Sequence, residues 1–175
     1  MQILDLSRDD ADGIEQTAQV LVDAFRGTTD AWPDLETGRT EVLESFAPDR
    51  VSLVARDDDG RVIGWIGGIE DYDGHVWEVH PVAVSPPAQR RGVGRALLAA
   101  LEARAQERGV LTLLLGTDDE VGRTSLGGAE MYPDLLGALA AIEDRGGHPF
   151  RFYQSCGFSL AGVVPDADGT GSLIS

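Results

Sequence analysis

With 175 residues, 30 acidic against 14 basic and a formal charge of −16, the chain is the size of one domain, 1–175, and too acidic to displace phosphate counterions as a nucleic-acid binder does. Its 42% hydrophobic share is enough to fold, yet no run approaches the roughly 18 apolar residues of a membrane helix. All 14 basic residues are Arg, which excludes a Walker-type lysine loop and a lysine Schiff base, and the single cysteine, Cys156, excludes an internal disulfide and fits a reducing cytoplasm.

Residues 2–6 alternate like a short first strand, and 14–25 place Ala18, Leu21, Val22 and Phe25 at helical spacing. A loop with Trp32 follows, and 41–46 read as the end of a second helix. Two strands, 51–55 and 62–69, are joined across Asp57-Asp58-Asp59-Gly60, a good hairpin turn. A third runs over 76–84. The clearest helix is 92–108, with Leu97, Leu98, Leu101 and Ala105 on one side. The apolar run 110–115 has strand length and is expected to be buried on both faces. Helices over 133–143 and 149–155 and a strand over 158–164 complete the pattern. The sum is a mixed α/β (α+β) fold with a mostly antiparallel central sheet flanked by helices.

Chemistry concentrates first at Gln89-Arg90-Arg91-Gly92-Val93-Gly94-Arg95, between a strand and the long helix. A helix start offers unpaired N–H groups and partial positive charge, and glycines admit a phosphate close to the backbone. Three of the 14 arginines fall in these seven residues of an otherwise acidic chain. The plain alternative is a glycine-containing helix start with solvated arginines. The full arrangement of strand, Pro-rich bend, glycines and long helix favours an anion.

Gln-x-x-Gly-x-Gly before a long helix resembles the acyl-CoA pyrophosphate loop of the GNAT superfamily of N-acetyltransferases, and Phe152-Tyr153-Gln154-Ser155-Cys156-Gly157-Phe158 resembles its Tyr-x-x-x-Gly-Phe signature. Trp77-Glu78-Val79-His80-Pro81, Leu115-Gly116-Thr117-Asp118-Asp119, His148-Pro149-Phe150 and the run 163–169 are similar to the aminoglycoside 6'-N-acetyltransferases of the chromosomal enterococcal type. That resemblance implies acetyl-CoA as cosubstrate, a cationic aminoglycoside as acceptor, and a homodimer. It implies catalytic roles for Glu78, His80, Val82 and Tyr153. Cofactor contacts would come from Val82, Val84, Gln89, Arg90, Arg91, Gly92, Val93, Gly94, Arg95, Ala96 and Tyr153. Relatives often carry an Asn where this chain has Gly146-Gly147.

The residues themselves agree with such chemistry. An amine attacking a thioester must lose a proton, the carbonyl oxygen must be stabilised, and the thiolate needs a proton. Alternation along a strand places Glu78, His80 and Val82 on one face and Trp77, Val79 and Pro81 on the other. Pro81 cannot donate to a ladder, so the sheet should open there and leave the Val82 N–H available. Tyr153 is either the proton donor that the family implies or an aromatic packed at a helix end. Phe150 and Phe152 are expected in the core, and Cys156 as packing rather than a nucleophile. Asp118 and Asp119 are either a site for a cation or a solvated turn, Trp32 either stacks on a sugar ring or covers the core, and Tyr72, in the acid-aromatic cluster Asp71-Tyr72-Asp73, is a candidate substrate contact. His75, His80 and His148 lack metal-ligand spacing, so no metal is expected. A polyamine, peptide or protein amine as acceptor, or a non-catalytic acyl-CoA-binding module, are the competing readings.

Overall fold

The computed structural model describes residues 1–165, which form two compact units, Met1–Leu115 and the part from Gly116 onward. The first unit holds β1 (Gln2–Asp5), α1 (Ala11–Phe25), α2 (Leu35–Glu44), β2 (Arg50–Arg56), β3 (Val62–Asp71), β4 (Val76–Val84), α3 (Val93–Glu107) and β5 (Thr112–Leu114). The second holds α4 (Leu135–Ala140) and α5 (Phe150–Ser155). The sheet order is β1-β2-β3-β4-β5, antiparallel from β1 to β4 and parallel between β4 and β5. Among the described residues no helix is long and apolar enough to cross a membrane.

Local chemistry sets the helix boundaries. Asp10 caps α1 by accepting from Gly13 N–H, and its other oxygen takes the Arg56 guanidinium. Asp34 and Thr37 close a reciprocal capping box on α2, which satisfies two donors that a helix start leaves over. α3 starts at Gly92 with no side-chain cap at all. Its buried stripe is Val93, Leu97, Leu98, Leu101 and Ala105, the helical spacing expected.

Helices cover both faces of the sheet. On one, α1 packs Ile14, Ala18 and Leu21, with Val42 of α2, against Val54, Trp65 and Ala83. Trp65 is fully buried, and its Nε1–H donates to Ser52 Oγ at 2.9 Å, so it gains packing without orphaning its one donor. On the other face, a Cβ added at Gly64 would meet Val93 and Leu97, and one at Gly68 would meet Leu101 and Trp77. These glycines therefore let α3 sit close to β3.

Two expectations for strands are corrected. β5 covers only Thr112–Leu114 and is not buried on both faces: Leu111 is 80% exposed and Leu114 41%. It is the last strand of the described sheet, and an apolar run reads alike at an edge and in the middle. Residues 158–164 form no strand, since among the described residues no ladder partner pairs with them. Phe150 is buried as expected, whereas Phe152 is 36% exposed, because it lies on the outer side of the short helix α5.

Candidate active site

The site is built on β4, where the pairing with β3 slips. Ile66 stands opposite Val82 and Gly68 opposite Val79, so His80 and Pro81 together face the single residue Gly67. The bulge falls where the ladder would need an N–H that proline lacks. A Cβ on Gly67 would lie 2.1 Å from the His80 carbonyl oxygen, so only glycine fits there.

This bulge corrects the expected grouping of side chains. Below it, Val79 lies opposite Gly68, whose face belongs to α3, while His80 reaches Trp32 and Glu41 on the α1/α2 face. Above it, Ala83 joins the α1 face and Val82, opposite Ile66, turns to the α3 face. Glu78 and His80 share a face and Val82 does not. One extra residue inverts the alternation of everything beyond it.

Val82 nonetheless presents its N–H at the edge of the sheet. Ser85 N–H donates to Ile63 O, which marks that pair as hydrogen-bonded to β3. Antiparallel pairs alternate, so Val84 and Val82 fall in the pairs whose N–H groups point away from β3. β5 pairs only with Val76, Trp77 and Glu78. From Val79 to Val84 that outer edge has no strand partner among the described residues, and Gln89 Nε2 donates to Val84 O at its far end, 3.1 Å away.

The α1/α2 face gathers charge and aromatic surface around this edge. Trp32 stands edge-on to Phe25 (4.9 Å between centroids) and 5.9 Å from the His80 ring, so it covers the core and flanks the histidine together. Glu41 Oε1 is 3.9 Å from His80 Nε2 and 3.5 Å from an Arg50 nitrogen. Glu78 is half-buried, and its carboxylate has no hydrogen bond or ion pair among the described residues. A carboxylate without a native partner is available to a ligand. Tyr72, 67% exposed, sits in the turn between β3 and β4 with φ of 48°, followed by Asp73 with φ of 56°.

Past β4, the bend at Pro86–Ala88 leads through Gln89 and Arg90 to Gly92 and the uncapped start of α3. Arg90 (φ 61°) and Gly92 (φ 87°) both adopt the left-handed conformation, and a Cβ at Gly92 would meet nothing within 4 Å. Arg90, Arg91 and Arg95 are exposed, and Arg90 and Arg91 make no ion pair among the described residues despite the chain's 30 acids. Gly94 and Ala96 are half-buried and Val93 is buried beneath them. Open space, a free helix start and unspent cations together suit a pyrophosphate.

The chain matches the Acetyltransferase (GNAT) family over residues 14–127. The chain belongs to the GNAT acetyltransferase family. Its fold is similar to an aminoglycoside 6'-N-acetyltransferase solved with coenzyme A, at 29% identity and a TM-score of 0.86 over 97% of this chain and 91% of that one. The aminoglycoside 6'-N-acetyltransferase from Enterococcus faecium is similar to the same extent, at 30% identity, a TM-score of 0.86 and the same coverage. An aminoglycoside acetyltransferase from an uncultured soil metagenomic sample, solved with sisomicin, shares the fold at 18% identity and a TM-score of 0.61, over 93% of this chain and 91% of that one. A comparison with curated proteins found no match.

As a GNAT acetyltransferase the chain is an acyl-CoA-dependent N-acetyltransferase with acetyl-CoA as cosubstrate. Among the described residues no group of His, Cys, Asp or Glu is arranged to hold a metal ion. Two residues escape a reading of the sequence. Glu41 looks there like any acid near a helix end, and nothing in spacing links it to His80. Gly67 carries a signal, since a glycine inside a strand pattern marks a bulge or close approach.

In the second unit, Asp119 is engaged in the loop it begins. Its oxygens accept from Arg123 N–H (2.6 Å), Thr124 N–H (2.9 Å) and Thr124 Oγ1 (2.7 Å). Burial pushes this carboxyl up, but the Thr124 hydroxyl and the two N–H groups outweigh it and hold the group below its usual range. Asp118 is exposed, and only its carbonyl is used, by His148 Nε2 at 3.0 Å. His148 Nδ1 accepts from Phe150 N–H, which leaves the proton on Nε2 to be donated to Asp118 O. The Gly146 and Gly147 N–H groups donate to Asp144 Oδ1. Residues 166–169 of the 163–169 motif lie outside the described residues. We expect Asp119→Asn to cost on the order of 1–3 kcal/mol, since an amide cannot accept all three bonds. Asp118→Asn should leave stability unchanged. Thermal melts of both variants check this. Because the Asp119 carboxyl is lowered in the fold, its contribution is present above the unfolded-state value and is lost as pH falls through the folded one.

Tyr153 is half-buried, its ring 5.1 Å from Phe152 and 5.8 Å from Phe158. Burial first, and nearby Cys156 second, push its phenol up to about 12. It is therefore protonated at neutral pH and able to give a proton. A raised phenol favours the fold below its unfolded value near 10, and that contribution is lost as pH rises towards about 12. Tyr153→Phe should remove one late-titrating phenol from an ultraviolet pH titration. An unaltered titration would contradict this assignment.

Proposed function

We propose that this GNAT acetyltransferase transfers acetyl from acetyl-CoA to the 6'-amine of aminoglycosides by direct attack on the thioester. The observation that carries the substrate class is the likeness, along nearly the whole chain, to enzymes of that activity. The charge of −16 supports it, because aminoglycosides are polycations and an acidic protein raises their local concentration.

In this reading Glu78 takes the proton of the attacking amine through a water, aided by His80. The Val82 N–H at the unpaired edge binds the thioester oxygen as negative charge develops. The new N–C bond forms, the C–S bond breaks, and Tyr153 protonates the departing thiolate. Val84 and Gln89 with Arg90, Arg91, Gly92, Val93, Gly94, Arg95 and Ala96 hold the coenzyme. Trp32, Tyr72, Glu78, Asp118 and Asp119 receive the aminoglycoside, Asp119 by shaping the loop that presents Asp118. Residues 1–175 act as one catalytic domain.

Coenzyme A release across a panel tests the proposal: aminoglycosides with a 6'-amine, one with a 6'-hydroxyl, spermidine and a peptide amine. Turnover confined to the 6'-amino drugs is expected. Efficient acetylation of spermidine or peptide, with none of any 6'-amino drug, overturns the substrate while leaving the family intact. No release with any acceptor points to a binding module.

A further inference from the structure

Glu41 stands between Arg50 and His80, and it is the least exposed carboxylate among the ion pairs of the described residues. Its side chain is 17% exposed, against 49% for Glu15 paired with Arg39 and 63% for Asp5 paired with Arg104. Those exposed pairs close tightly, at 2.5 and 2.8 Å. Glu41 instead divides itself, at 3.5 Å from Arg50 and 3.9 Å from His80. A charge withdrawn from water needs compensation, and one loose arginine contact gives little of it. Its other neighbour is His80 Nε2, 3.9 Å away on a side chain that is 40% exposed. Arg50 in turn is 4.0 Å from Glu44, so the row runs Glu44, Arg50, Glu41, His80 from solvent towards the face that carries Glu78.

The histidine is bounded on two sides. Trp32, uncharged, lies against its ring at 5.9 Å with the planes at 52°. Glu41 approaches from α2 towards Nε2. The charged groups towards His80 are thus Glu41, with Arg50 and Glu44 behind it, and Glu78 on the same face of β4. A carboxylate beside one imidazole nitrogen favours the tautomer with its proton there.

We propose that Glu41 is a positioning residue: it fixes His80 with the proton on Nε2 and its ring held against Trp32, so that the face beside Glu78 carries an oriented imidazole. The kinetic consequence rests on the acetyltransferase reading above; the structural one does not.

Glu41→Gln keeps the shape and removes the charge. Nitrogen-15 spectra of the His80 ring should show a smaller share of the Nε2-protonated tautomer than in the native protein. With the best amine acceptor, kcat/KM should fall by about tenfold, while KM for acetyl-CoA stays unchanged. In a His80→Ala background the same substitution should change nothing further, and Glu41→Asp should restore part of the loss. A folded Glu41→Gln protein with native His80 ring signals overturns the proposal, as do two losses that simply multiply. Should Glu41→Gln not fold, Glu41→Asp serves, since drawing the charge back by one methylene must also shift those signals. The ring measurement needs no substrate. A shifted ring in a protein that acetylates no aminoglycoside counts against the proposed function alone, and native signals in an active Glu41→Gln enzyme count against Glu41 alone.

Discussion

Glu78→Gln should lower kcat/KM for the amine by about 10²-fold or more, the usual worth of a positioned general base, and leave the fold untouched. The expectation rests on what Glu78 lacks. Its carboxylate is half-buried on β4 yet has no hydrogen bond or ion pair among the described residues, so the amide forfeits no native partner. A substitution without such a loss stays within about 0.5 kcal/mol in stability. Acetyl-CoA affinity should be unchanged too, since the proposed anion cradle at the start of α3 lies past the other end of β4. Steady-state kinetics, calorimetric titration with acetyl-CoA and a thermal melt separate the three quantities. A native rate would remove Glu78 from the chemistry, and a large fall in melting temperature would make it a structural residue.

The largest effect on stability is expected from Gly67→Ala. The added carbon would stand 2.1 Å from the His80 carbonyl oxygen and 3.1 Å from its carbon, both backbone atoms that cannot swing aside. Overpacking against a fixed backbone costs about 3 kcal/mol or more, which in a chain of this size lowers the melting temperature by about 6–12 °C. Gly116→Ala is the control, since a Cβ there meets nothing within 4 Å and its φ is not positive. Any Gly67→Ala protein that does fold must shift the bulge. It should then lose turnover, because the bulge decides which faces Glu78, His80 and Val82 take relative to one another. Equal melting of the Gly67 and Gly116 variants would contradict the close approach.

Much of the architecture was legible because its periods are strong. The hairpin at Asp57 to Gly60, the nine-residue β4 and the buried stripe of α3 follow from alternation, turn chemistry and helical spacing. β5 was misread because burial is a tertiary property: Leu111 and Leu114 look in sequence like residues of a covered strand. In β4, Pro81 announced a break in the ladder. It did not announce that β3 would answer with one residue against two, and that count decides which face Val82 takes. The uncapped start of α3 was readable because its glycines and arginines lie close in sequence. The Arg50, Glu41 and His80 row was not, since its members come from three elements and meet only when the sheet and α2 assemble.

β5 ends early, and its brevity sets a rule for how this scaffold can change. The last matched pair between β4 and β5 is Glu78 with Leu114. If the parallel pairing ran on by four residues, it would cover the edge as far as Val82 and take up the donor that faces outward there. The next residues in the chain are Leu115, Gly116, Thr117 and Asp118, and glycine and aspartate are poor strand formers. Composition just after Leu114 therefore acts as a stop, keeping the zip half open. β-branched residues at positions 116 and 118 would tend to extend the pairing and close the edge that carries the outward-facing Val82 N–H.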